Sequence, residues 1–294
     1  MSLVREAEAR VRLLALFGWA LFGWSLSVAS GCGSAAAAQE TSGSCDRIQL
    51  PTHRLHACQY GLDNAITVLL DSGAREDSRA WAPVIDELQT FAHVIAYDRA
   101  GLGQSDPGPE PRTVSRMAEE MRALVDELAP TGRIILVGHS AGGWRVRRFA
   151  ELYPDRVAGL LLLDSPHEDF EAFRLSTLTE RERAERQRSL AASRMDLPRG
   201  VQLEYEGMAD VGTELNGHLP DVPLVVVSAG VHGWVPEDRA EVHEEGWRRL
   251  QRELAGTSTG GRYVLAESSG HSVQRDNPAL VVELIRGIAE RAAR

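Results

Sequence analysis

Short, nearly unbroken apolar runs recur along the chain, and between them apolar positions return at helical spacing. The runs predict strands at residues 54–59, 65–70, 93–97, 133–137, 157–163, 223–228 and 262–266. Ile134-Ile135-Leu136-Val137, Leu160-Leu161-Leu162-Leu163 and Leu224-Val225-Val226-Val227 show no polar face. Strands covered on both sides have this composition. Val114, Met117, Met121, Leu124, Val125 and Leu128 fall on one stripe and predict a helix, and residues 278–289 predict a last one. Strands alternating with helices imply a parallel sheet covered by helices on both faces.

The alternation stops between about residues 166 and 221. That stretch offers no strand. It contains a capping-box pattern, Thr179-Glu180-Arg181-Glu182, and then a dense Arg/Glu helix to about Leu190, read as a solvated face. As a unit it reads as a helical cap over the C-terminal edge of the sheet, where open α/β sheets bind ligands.

The chain has 294 residues, 43% of them hydrophobic, enough for one large domain with a real core. Its net charge is −10, which argues against a nucleic-acid partner. All 32 basic residues are arginine. Without a lysine amine, Schiff-base and pyridoxal-phosphate chemistry are excluded, as are phosphate-binding loops ending in Gly-Lys and protein kinases.

The N-terminus reads as an address. Arg5, Arg10 and Arg12 precede an apolar run to about Ala29, as in a secretory signal. Ala29-Ser30-Gly31-Cys32 resembles a bacterial lipoprotein processing site with Cys32 as the lipidated residue. Ordinary cleavage near Ala36-Ala37-Ala38 and an uncleaved anchor are the alternatives. The expected organisation is a signal at 1–32, a small, polar linker at 33–44 and a domain at 45–294. The protein is expected to be exported, periplasmic or at the cell surface, and to meet a membrane only through that signal or lipid. Cys45 and Cys58 then remain, and in an oxidising compartment they are expected to form a disulfide rather than two separate thiols.

Gly138-His139-Ser140-Ala141-Gly142 fits G-x-S-x-G, and so does Gly256-Thr257-Ser258-Thr259-Gly260. Only the first follows a buried strand and opens a helix, the setting a nucleophile elbow requires; the second reads as a turn. In the elbow Ser140 is strained and exposed, its glycine neighbours avoid collision, and the Ala141 N–H points to the same place as an oxyanion donor. A serine needs a base. His271 lies after the last strand and before the last helix, in the order serine, acid, histidine. His139 reads as a local packing residue and His93 as structural, while His167 and His232 follow strands at the expected pocket.

With these residues the chain resembles the α/β-hydrolase superfamily over about residues 50–292. Asp71-Ser72-Gly73-Ala74 stands where members often carry His-Gly. The segment from Tyr97-Asp98-Arg99-Ala100-Gly101 to Asp106 is similar to the family's turn after the next strand. Ser269-Gly270-His271, with Asp276 and Pro278, resembles its histidine segment. The implied fold is a mostly parallel, doubly wound sheet with the cap inserted after the sixth strand. The resemblance implies the Ala74 N–H as second oxyanion donor. The family's usual acid position, after the strand at 223–228, holds no carboxylate until Glu237 and Asp238. Its other position, the end of the preceding strand, holds Asp164. Asp164 is the favoured acid, with Asp238 or Glu237 as alternatives.

The implied chemistry is acyl transfer by Ser140 on a small carboxylic ester, with neither metal nor organic cofactor and an ester-like small molecule as the partner. Trp144, Phe170, Phe173 and Trp234 are candidates for an apolar acyl pocket under the cap, though such residues are more often simple core. Serine-triad peptidases, perhydrolases, carbon–carbon hydrolases and lipases share the pattern, and a catalytically dead binding module is the rival of another class.

Overall fold

The computed structural model describes residues 43–234 and 236–293; the expected export signal and Cys32 lie outside them. The strands are β1 Ser44–Gln49, β2 Arg54–Tyr60, β3 Thr67–Asp71, β4 His93–Tyr97, β5 Ile134–His139, β6 Val157–Leu163, β7 Leu224–Ala229 and β8 Arg262–Ala266. They form one sheet in the order β1-β2-β4-β3-β5-β6-β7-β8. The pairs β1/β2 and β2/β4 are antiparallel, and every other pair is parallel.

The three wholly apolar runs sort their side chains by alternation. Ile134, Leu136, Leu160, Leu162, Leu224 and Val226 belong to one buried cluster, and Ile135, Val137, Leu161, Leu163, Val225 and Val227 to another on the opposite face. Each face is covered by helices. Those described are α1 Ala82–Leu88, α2 Val114–Leu128, α3 Gly142–Leu152, α4 Phe170–Ser176, α5 Glu180–Met195, α6 Arg199–Gly207, α7 Val211–Glu214, α8 Ala240–Ala255, α9 Val273–Asp276 and α10 Pro278–Ala292. Met121 of α2, Phe149 of α3 and Leu254 of α8 pack into the first cluster; Leu88 of α1 and Ile285 of α10 pack into the second. The mostly parallel, doubly wound α/β-hydrolase fold is the one expected.

The strand missed by the sequence reading is β1, which starts at Ser44, the last residue of the expected linker. It is an edge strand, and its residues are exposed or half-buried, so no apolar alternation marks it. A disulfide joins Cys45 to Cys58, its directly opposed residue on β2.

Helices α4 to α7 fill the segment between β6 and β7, where the cap was expected. Thr179 caps α5 through a reciprocal box with Glu182. This helix buries none of its residues and continues to Met195, beyond the expected end near Leu190. No helix among the described residues is long and apolar enough to cross a membrane.

Candidate active site

The turn from β5 into α3 puts Ser140 at φ 52°, a left-handed conformation costly for any residue with a Cβ. Its glycine neighbours are forced by space. A Cβ on Gly138 would lie 2.7 Å from the Gly142 carbonyl, and one on Gly142 would lie 2.3 Å from the Asp71 carbonyl oxygen. Hydrogen bonds from Ser140 N to Leu163 O (2.9 Å) and from Gly143 N to Ser140 O (2.9 Å) hold the bend.

His271, on the loop between β8 and α9, places Nε2 2.9 Å from Ser140 Oγ. Its Nδ1 lies 2.7 Å from Oδ2 of Asp164, the residue that follows β6. The exposure gradient along this chain is steep: the His271 side chain is 54% exposed and that of Asp164 only 1%. Asp164 is itself left-handed, at φ 44°. Its N–H donates to Val227 O at 2.7 Å, and its Oδ1 accepts the Ala229 N–H at 2.9 Å. Burial alone would push this carboxyl up, but hydrogen bonds and positive charge from His232 and His271 hold it down at about 2.

The alternative acids lie elsewhere. Glu237 and Asp238 are exposed on a short 3₁₀ turn before α8, and Asp238 pairs with its neighbour Arg239 at 2.7 Å. His232 is the partner the sequence reading did not assign to Asp164: its Nε2 stands 3.1 Å from both carboxylate oxygens.

The segment 72–74 passes close to the nucleophile. A Cβ on Gly73 would sit 3.2 Å from the Ser140 Cβ and 3.0 Å from His139 Nδ1. Two buried arginines fix this strip by its carbonyls. Arg99 donates to Ser72 O (3.0 Å) and Gly73 O (2.9 Å), and Arg145 donates to Ser72 O (2.6 Å). Arg145 also binds Asp71 at 2.7 Å, and Arg99 binds Glu204 of α6 at 2.7 and 3.1 Å. All four charged groups are buried. The Ala74 and Ala141 amides, the two expected oxyanion donors, donate to no protein acceptor among the described residues. Both residues belong to one apolar cluster with Trp144, Met208, Val211 and Leu215.

His139 braces the same strip. Its Nε2 donates to His271 O at 2.9 Å, and its Nδ1 meets Glu76 Oε2, also at 2.9 Å. Glu76 in turn accepts the Gly73 N–H at 3.1 Å. Burial would push the Glu76 carboxyl up, but His139 and Arg275 hold it below its usual range. Neither the Glu76 brace nor Glu204 had a sequence signal, since each contact joins segments far apart in the chain.

The four expected pocket residues fall into two groups. Trp144 stands with the two expected oxyanion donors. Phe170, Phe173 and Trp234 pack with Trp247 and Leu250 of α8. His167 faces Glu168 and Asp169 rather than Ser140. Cys45, His56 and Cys58 gather their ligand atoms within 4.8 Å, but the disulfide occupies both sulfurs.

Residues 68–284 match the family model described as the alpha/beta hydrolase family. An esterase of Mycobacterium tuberculosis is 30% identical, with the match covering 80% of this chain and 86% of that protein. An uncharacterized protein of Bacillus subtilis is 22% identical, covering 78% and 88%. A thermophilic esterase from Thermogutta terrifontis has a similar fold: its TM-score is 0.63 at 24% identity, covering 85% of this chain and 98% of that one.

Proposed function

The chain belongs to the alpha/beta hydrolase family, and from that premise we propose that it is a serine hydrolase cleaving a small carboxylic ester through an acyl-enzyme. One observation carries the reading: the continuous hydrogen-bonded chain from Ser140 Oγ through His271 to Asp164, at 2.9 and 2.7 Å. The similarity to an esterase over 80% of this chain supports the choice of ester.

In the proposed cycle Ser140 Oγ passes its proton to His271 Nε2 and attacks the ester carbonyl carbon. Asp164 holds the imidazole tautomer and stabilises the imidazolium. The Ala141 and Ala74 amides receive the oxyanion. His271 then gives its proton to the departing alcohol. Water, deprotonated by His271, attacks the acyl-Ser140 carbonyl, and His271 returns that proton to Ser140 Oγ as the bond to the acyl group breaks and the acid leaves. The apolar residues beside the two donors, Trp144, Met208, Val211 and Leu215, take the acyl group. The Cys45–Cys58 bridge supports an oxidising, exported location. The mass of the mature protein tests both cleavage and a lipid on Cys32.

The deciding experiment is labelling by a fluorophosphonate probe together with hydrolysis of a p-nitrophenyl ester. The native chain is expected to label on Ser140 and turn over. Ser140→Ala is expected to lose the label and at least about 10⁴-fold in kcat. An unlabelled native serine supports the dead binding module, and full activity in Ser140→Ala rejects the mechanism.

A further inference from the structure

Asp164 is gripped from two sides, and the cycle above uses only one. Beyond its contact with Asp164, His232 turns Nδ1 toward Oε2 of Glu244 on α8, at 2.8 Å. Glu244 is met by donors on both oxygens: Trp234 Nε1–H reaches Oε2 at 2.8 Å, and Arg248 Nε–H reaches Oε1 at 2.6 Å. Asp164 likewise receives His271 and the Ala229 N–H. As carboxylates, both groups only accept. An imidazole between two such groups satisfies both only with a proton on each nitrogen. The ring is 6% exposed, stacked on Trp234 at 4.6 Å and edge-on to Trp247 at 5.4 Å.

We propose that His232 is a positioning residue for the acid: an imidazolium strapped between Asp164 and Glu244 that aims the Asp164 carboxylate at His271 and offsets part of its charge. The proposal rests on the reading of Ser140, His271 and Asp164 given above. Its first effect is geometric. With one oxygen fixed by Ala229 N–H and both spanned by His232, the carboxylate cannot rotate its Oδ2 away from His271. The second is electrostatic. A full negative charge beside His271 would favour the imidazolium before any substrate arrived, withdrawing the base at mildly acid pH. A cation on the far side of Asp164 counters that.

The groups around the two rings are few. His232 faces Asp164 at the end of β6, Glu244 and Trp247 on α8, and Trp234 on its own loop. His271 faces Ser140, Asp164 and His139, whose ring centre is 4.8 Å away. Arg248 beyond Glu244, Arg174 over Trp234, and Glu76 with Arg275 beyond His139 are the next charges.

The test is the pH profile of kcat/KM on an activated ester. His232→Gln keeps an amide donor for Asp164 and removes the charge. Glu244→Gln removes the second carboxylate, leaving His232 neutral with its proton on Nε2. Each is expected to move the acid limb to higher pH by about 0.5–1 unit, and the double variant no further than His232→Gln alone. An acid limb that stays in place while activity falls equally at every pH, or one that moves down, overturns the proposal. Ser140→Ala separates the two readings: full activity there takes down both, whereas an inactive Ser140→Ala beside an unmoved limb takes down only the role of His232. Should the variants not fold, long-range ¹⁵N–¹H spectra of the unsubstituted protein at pH 7.5 decide. Two protonated nitrogens on His232 support the proposal, and one bare nitrogen sinks it.

Discussion

Ser140 and Asp164 both hold left-handed backbone conformations, at φ 52° and 44°, which cost non-glycine residues of order 1–3 kcal/mol each. Strain at both ends of one hydrogen-bonded chain is what the proposed mechanism expects of its reacting groups. Asp164→Asn is expected to lower kcat by about 10⁴-fold, because an amide cannot hold the imidazole tautomer, while Asp238→Asn leaves it unchanged; ester turnover of the two variants checks this. A second prediction concerns stability. Burial would push the His232 imidazole down, but Asp164 and Glu244 hold it above its ordinary value of about 6.5. Its contribution is therefore complete below that value and is lost as pH rises through the higher folded one. The Tm advantage of the native chain over His232→Gln should shrink between pH 6 and 9, as measured by calorimetry; a constant or growing gap contradicts it. Ser140 and His271 were legible because motif, strand context and chain order agree on them. Asp164 was legible through the resemblance, because the family's usual acid position just after β7 holds no carboxylate and its other position, at the end of β6, holds this one. The contact of His232 with Asp164 was not, since nothing local says that two residues 68 apart meet, and Glu244 carried no signal of its own.

Elements are placed by periodicity, and it served well where burial is complete. The unbroken runs of β5, β6 and β7 and the stripe of α2 needed no tertiary information. It failed at β1, which earns its place by pairing and a disulfide, and at the far end of α5, where a polar helix gives no boundary. Between elements, the most demanding contact is the pair of Arg99 and Glu204, which ties the strip at 72–74 to α6. Burial would push the Arg99 guanidinium down, but Glu204 and Asp71 hold it above its usual range. Removing one partner of a buried pair strands the other. Glu204→Gln is expected to destabilise the fold by about 3–5 kcal/mol in denaturant titrations and to lower kcat more than it raises KM. A silent substitution would mean that α6 does not support the strip at 72–74.

For the molecule as a whole, the bridge between Cys45 and Cys58 joins the two outermost strands at one edge of the sheet, with β4 and β3 between them and the strand that ends before Ser140. Reduction opens a loop with a sequence separation of 13 residues, worth about 2–3 kcal/mol. The expected result is a Tm lower by about 5–10 °C with ester turnover at 25 °C retained, read by scanning calorimetry with and without reductant. Unchanged melting would assign the bridge no stabilising role. The buried quartet of Asp71, Arg99, Arg145 and Glu204 has a consequence for substrate choice. Swinging α6 away from the strip at 72–74 would drag Arg99 and Glu204 apart in a medium that cannot solvate them, which resists opening at this point. On the proposed esterase reading, the rate is expected to climb smoothly with dissolved substrate and to show no jump when micelles form.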